Sequence, residues 1–237
     1  MCHICDTTPA VRPSRRAFLH SAAGAALAAF VPSFAWAATS PKAISPAEAL
    51  KRLLDGNARY AANRPSERDF SLVRTRGQRQ PPVAAILGCA DARVAPEFAF
   101  DQGPGDIFAV RVVGNFASDE GLASIEFAVK YLGVPLVMVL GHSSCGAVET
   151  ALHAVKNKDK LPGRLSDLVK RIKPAITRAE KDRRGRDLLT DAIAENVRLN
   201  VARLQSTGPI LKPLVADGRV DVVGATYDYA TGRVALV

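Results

Sequence analysis

Val83-Ala84-Ala85-Ile86-Leu87-Gly88-Cys89-Ala90-Asp91-Ala92-Arg93-Val94 is an apolar run that gives way to polar residues at a glycine. A run this short, closed by Gly88, predicts a buried strand that ends where the polar residues begin. With extended backbone past Gly88, the period of two puts Cys89, Asp91 and Arg93 on one side. A thiolate donor, a carboxylate and a cation then point the same way from the carboxyl end of a strand. Ligand sites in open α/β sheets lie at that end.

Outward from this stretch, strands and helices alternate. On the amino-terminal side, Ser45-Pro46-Ala47-Glu48 opens a helix with a cap, a proline at its first position and a glutamate at its third. Leu50, Leu53, Leu54 and Ala58 give that helix an apolar stripe, and residues 64–82 form a polar, proline-bearing arm. On the carboxyl-terminal side, a short helix is expected at Pro96–Phe100 and a strand at Ile107–Val113. A helix follows from Ser118 to Leu132, then a strand from Pro135 to Gly141 and a helix from Ala147 to about Lys156. Leu165–Ser206 holds two more helices. Val220–Ala225 is a fourth strand, with Gly232–Val237 pairing beside it as an edge strand. Alternation at this spacing predicts an α/β fold with a mostly parallel sheet of about four strands plus an edge strand, flanked by helices.

The chain has 237 residues, 48% of them hydrophobic, enough for one sizeable core. Residues 1–37 do not belong to it. Ser14-Arg15-Arg16-Ala17-Phe18-Leu19 is a twin-arginine signature, followed by the weakly apolar Ala22–Val31 and by Ala35-Trp36-Ala37, a signal-cleavage pattern. The apolar stretch is too short to span a bilayer, so a cleaved leader and a periplasmic protein without stable membrane insertion are expected. Twin-arginine export carries folded proteins, often with a cofactor already inserted. The expected domains are the leader 1–37, the helix and arm 38–82, and the α/β domain 83–237. Cleavage removes Cys2, Cys5, His3 and His20, and takes three arginines and one aspartate from the formal charge of +9. The remaining excess is densest at Arg178–Arg186 and reads as a solvated helix end or loop. It has no aromatic interleaving, so nucleic acid is not an expected partner.

The chain beyond the leader keeps Cys89, Cys145, His142 and His153. His142 and Cys145 are three apart where the helix after the third strand begins, a spacing that puts both on one helix face. With Cys89 they make two thiolates and one imidazole, a set suited to zinc with one position open. Asp91 is a candidate fourth ligand, or it orients a water at the open position, and Arg93 would keep it ionised through a bidentate pair. Spacing alone is equally compatible with a Cys89–Cys145 disulfide. His153 lies well along the helix and reads as a surface residue.

Cys89-x-Asp91-x-Arg93 followed by His142-x-x-Cys145-Gly146 resembles the two-part signature of the β-class carbonic anhydrases, and the resemblance runs through nearly all of residues 45–237. It implies one zinc per chain, held by Cys89, His142 and Cys145. It also implies an enzyme, a carbonate dehydratase (a lyase), that hydrates CO2 reversibly to bicarbonate and a proton by zinc-bound hydroxide. The catalytic residues would be Asp91, Arg93 and Gln80. Asp91 would accept the hydroxide's hydrogen, and Gln80 would reach bicarbonate across a dimer interface built on the amino-terminal helix. The resemblance further implies an apolar CO2 pocket at Phe108, Val113 and Phe127 beside Gly114, and a homodimer or a tetramer of dimers. The expected partners are CO2 and bicarbonate, together with the twin-arginine export machinery. Some relatives bind bicarbonate at a second site through Trp, Arg and Tyr. Arg111 and Tyr227 match two of these, but Ile86 stands where the Trp would be, so no strong bicarbonate switch is expected. Two alternatives stand beside this one: hydrolysis of COS or CS2 on the same zinc site, and a non-catalytic protein closed by a Cys89–Cys145 disulfide.

Overall fold

The computed structural model describes residues 44–68, 71, 82–182 and 187–237. The leader and Gln80 lie outside the described residues. Five strands form one sheet: β1 (Ala84–Cys89), β2 (Ile107–Val112), β3 (Leu136–His142), β4 (Asp221–Tyr227) and β5 (Val234–Leu236). Their spatial order is β2-β1-β3-β4-β5, with β5 antiparallel to β4 and every other pair parallel. The helices are α1 (Pro46–Ala61), α2 (Pro96–Ala99), α3 (Asp119–Tyr131), α4 (Gly146–Asn157), α5 (Leu165–Lys181), α6 (Leu188–Ser206) and α7 (Leu211–Ala216).

Every residue of β1 and β3 is buried, as expected of strands covered on both faces by helices. Alternate side chains divide between two cores. Ala84, Ile86, Leu136, Met138 and Leu140 pack with Leu53 of α1 and with Phe100. Ala85, Leu87, Val137 and Val139 pack with Ile125 and Ala128 of α3 and with Val197 and Leu204 of α6. Helix α1 starts at the expected capping box, Ser45 with Glu48. It is tied down by the buried Asn57, whose amide donates to the carbonyls of Ala99 (2.8 Å) and Gly232 (2.9 Å). The same side chain accepts from the Val234 N–H.

This topology positions the site. The chain leaves β1 toward β2 on one side and leaves β3 toward β4 on the other. The carboxyl ends of β1 and β3 therefore flank the point where the direction of winding reverses, which is where a crevice opens in such sheets.

Several boundaries differ from expectation. β1 stops at Cys89, because the Asp91 carboxylate accepts the Arg93 N–H (3.0 Å) and the chain turns, with Val94 N–H donating to the Asp91 carbonyl (3.1 Å). Asp91 and Arg93 are thus brought together by a turn and not by strand alternation. β4 runs two residues further than expected because Thr226 and Tyr227 pair with Gly141 and His142. Helix α7 lies between Ser206 and Val220, a stretch for which no element is expected from the sequence. Its Pro213 lies in the first turn, where a missing N–H costs no helical hydrogen bond.

Candidate metal centre

Cys89 ends β1, His142 ends β3, and these strands are neighbours in the sheet. Cys145 is the N-cap residue of α4. The two residues of the His142-x-x-Cys145 motif therefore do not share a helix face, as the spacing suggested. Ser143 extends the ladder through its N–H to the Tyr227 carbonyl (2.8 Å), and Ser144 takes a left-handed conformation (φ 51) that swings the chain into α4. Strand end, tight turn and helix cap together aim both side chains at Cys89. The donor atoms of Cys89, His142 and Cys145 all lie within 4.8 Å of one another, and each residue is at most 4% exposed.

The donor set fits a zinc ion. The His142 Nδ1 faces the Ser143 carbonyl at 2.9 Å, which fixes its proton there and turns the Nε2 lone pair inward. Nε2 is buried and has no hydrogen-bond partner among the described residues. A buried nitrogen acceptor left beside two sulfurs is costly unless a cation or a proton fills the space between them. The sulfurs are free cysteines and form no disulfide, so the disulfide alternative does not describe this molecule. The Cys145 thiol serves Cys89 as hydrogen-bond donor. That contact, more than any other, lowers Cys89 to about 4, with help from His142 and from the Gly114 and Asp91 backbone and against the opposing effect of burial. The same contact, together with burial, raises Cys145. Burial would lower His142, but the neighbouring Cys89 sulfur raises it.

Asp91 stands outside this three-donor group. Arg93 holds its carboxylate with two parallel hydrogen bonds, Nε to Oδ1 at 3.0 Å and Nη2 to Oδ2 at 2.8 Å. This fork keeps Asp91 well below the usual carboxylate range. The guanidinium lies over Tyr229, its Cζ 4.2 Å from the ring centroid, and His142 also meets that ring in an edge contact with centroids 5.2 Å apart. Arg111 reaches over from β2 and donates to the carbonyls of Cys89 (2.9 Å) and Asp91 (2.6 Å). It braces the turn that carries both residues.

Of the expected pocket residues, Gly114 comes closest to the donors: its N–H donates to the Cys89 sulfur at 3.4 Å. Its φ of +81 and the Ile172 methyl that a Cβ would meet at 2.9 Å make glycine necessary there. Phe108 is half-buried against the α3 side of the sheet. Val113 and Phe127 are each about half exposed, at 52% and 50%, so this chain does not enclose them in a pocket. His153 is exposed, as expected. Tyr229 escaped the sequence reading, although Tyr227-Asp228-Tyr229 continues the alternation of β4 and puts both tyrosines on one side.

The carbonic anhydrase family profile matches residues 84–234. The carbonic anhydrase of Mycolicibacterium smegmatis is 41% identical over 194 residues, covering 81% of this chain and 93% of that protein. The carbonic anhydrase of Pseudomonas aeruginosa is 30% identical over 196 residues, covering 78% of this chain and 86% of that one. Among solved structures, the Coccomyxa β-carbonic anhydrase in complex with acetazolamide is similar with a TM-score of 0.61 at 25% identity, covering 79% of this chain and 86% of that one. The family match spans both halves of the donor set and the strands that carry them. The chain belongs to the carbonic anhydrase family, in its β class.

Proposed function

We propose that this carbonic anhydrase hydrates CO2 reversibly to bicarbonate and a proton at the centre formed by Cys89, His142 and Cys145, with zinc as cofactor. The observation that carries this is the buried, partnerless Nε2 of His142 facing two sulfurs, with an ionised Asp91 clamped beside them. Bound zinc supplies the Lewis acidity that lets water ionise near neutral pH, lowering its pKa to about 7 in carbonic anhydrases with three-histidine sites. Cys89, Cys145 and the Nε2 of His142 would hold it. Asp91, an acceptor only, takes a hydrogen bond from the attacking water and aims its lone pair at carbon. Arg93 keeps Asp91 ionised and fixes its plane. Gln80 of a second copy steadies bicarbonate, and Phe108, Val113 and Phe127 become a CO2-facing wall once that copy covers them. The relatives are carbonic anhydrases, which does not favour COS or CS2 as substrate.

Zinc stoichiometry and stopped-flow CO2 hydration on the same preparation test the assignment. One zinc per chain with hydration activity is the expected result. A protein that binds no zinc, or that binds it and hydrolyses COS while leaving CO2 untouched, overturns it. Sedimentation tests the dimer, and a Gln80→Ala variant that dimerises normally should lose about tenfold in kcat/KM.

The same proposal places the mature enzyme in the periplasm. It is supported by Ser14-Arg15-Arg16-Ala17-Phe18-Leu19 and Ala35-Trp36-Ala37. No helix among the described residues is long and apolar enough to cross a membrane. Fractionation of a bacterial host should find the protein in the periplasm, and Arg15→Lys with Arg16→Lys should hold it in the cytoplasm. Equal distribution of both forms would exclude this route.

A further inference from the structure

Three asparagines are buried together behind the metal centre: Asn115, Asn196 and Asn200, at 1%, 1% and 7% exposure. Primary amides this far from water are expensive unless their hydrogen bonds are made, and most cores avoid them. Their bonds converge on one short loop. Asn196 and Asn200 lie one turn apart on α6, so both face the chain that leaves β2. Asn196 Nδ2 donates to the Gly114 carbonyl at 2.9 Å and lies 3.5 Å from the Asn115 Oδ1. Asn200 Oδ1 accepts the Ala117 N–H at 2.8 Å, and its Nδ2 donates to the Asn196 carbonyl at 2.7 Å and lies 3.3 Å from the Asn196 Oδ1. The loop is thereby gripped at both ends, by its Gly114 carbonyl and its Ala117 amide. The residue so gripped is the one whose N–H reaches the Cys89 sulfur.

We infer that Asn196 and Asn200 are positioning residues of the metal centre, which act by holding the Gly114 N–H on the sulfur of Cys89. An N–H donated to a thiolate draws charge off the sulfur, so the sulfur gives less of it to a bound metal. Two thiolates donate more charge than two imidazoles and make the metal a weaker acid. The amide on Cys89 offsets part of that excess. Groups behind a ligand that fix its direction and charge commonly change metal affinity or activity by about 10–100-fold when removed.

The inference rests on the metal reading above, and cobalt(II) substitution separates the two. Cobalt reports thiolate donation directly, as an intense sulfur-to-metal absorption band in the near ultraviolet. In Asn196→Leu, which keeps the side-chain volume and removes the amide, the band should move to lower energy. Because the sulfur then gives the metal more charge, the ion should also withstand a competing chelator to about tenfold higher chelator concentration. Asn200→Ser is the milder variant, for use if Asn196→Leu does not fold, and it should shift the band the same way by less. A folded variant that melts earlier but keeps the wild-type band and chelator resistance makes the asparagines structural and overturns the inference. If the wild-type protein itself takes up no cobalt, the metal assignment is what fails.

Discussion

At the scale of single residues, two aspartates show what a guanidinium can do in different places. Asp91 is partly open to solvent and forked by Arg93, so its charge is preserved for the proposed hydration step. Asp91→Asn keeps the shape but loses the charge and turns one of the two acceptor oxygens into a donor. We expect hydration kcat/KM to fall at least about 100-fold while zinc content stays at the wild-type level. Loss of the zinc with the activity would instead make Asp91 part of the binding set. Asp101 serves the fold. Its buried carboxylate takes hydrogen bonds from Arg59 (2.6 Å), from Arg68 and from the Ser66 backbone and hydroxyl. Burial pushes this carboxyl up, but the arginines and the serine outweigh it and hold it at about 2. As the pH falls, the unfolded chain takes up the proton first, near the ordinary 3.8. The contribution to stability is therefore complete above about pH 4 and disappears as the pH drops through about 2. Asp101→Asn, whose side chain also tolerates the left-handed backbone at φ 46, should lose about 1.5–3 kcal/mol at neutral pH. The same variant should also show a flatter stability profile in acid, measured by urea unfolding across that range.

At the scale of elements, the fold depends on how closely neighbouring helices and their caps approach one another. Gly56 of α1 faces the Phe100 carbonyl, and a Cβ there would overlap that oxygen. Because the clash is with backbone, no rotamer change relieves it. Gly56→Ala should cost about 1–3 kcal/mol in denaturant titration, even though alanine favours helix in isolation by about 1 kcal/mol. An unchanged midpoint would mean that α1 can shift outward freely. The sequence shows the elements well where apolar runs end on glycine or start on a cap: β1, β3, α1 and α3 lie within two residues of expectation. It shows less where tertiary pairing decides. The last two residues of β4 are strand because Gly141 and His142 offer partners; Thr and Tyr favour strands, but the apolar run that marks the strand in sequence ends at Ala225. The three proposed zinc donors, which the structure brings together, were legible because their residue types and separation are rare in combination. The turn that makes the Asp91–Arg93 fork was not, since the apolar run before it suggests continued extension. The asparagines of α6 were invisible as site residues: in sequence they are two polar positions in an amphipathic helix.

At the scale of the whole molecule, the proposed metal ligands are groups that also bind protons. Cys89, Cys145 and His142 must all give up a proton to serve as ligands. Zinc retention against a chelator should therefore weaken as the pH is lowered from mildly alkaline to mildly acidic. Removing the ion at neutral pH should lower the melting temperature. A melting temperature indifferent to chelator would mean that the buried cluster is stable with protons in place of metal.

The donors also come from distant parts of the chain. His142 and Cys145 sit about fifty residues beyond Cys89, and only the pairing of β1 with β3 closes that interval. A denatured chain keeps just the His142 and Cys145 pair at close range, and recruiting Cys89 would require it to close a long loop. The ion thus prefers the folded chain, and each tenfold of that preference adds about 1.4 kcal/mol to folding when zinc is in excess. Bound there, the metal would act as a clasp across the ends of β1 and β3, one that must open before the two strands can part.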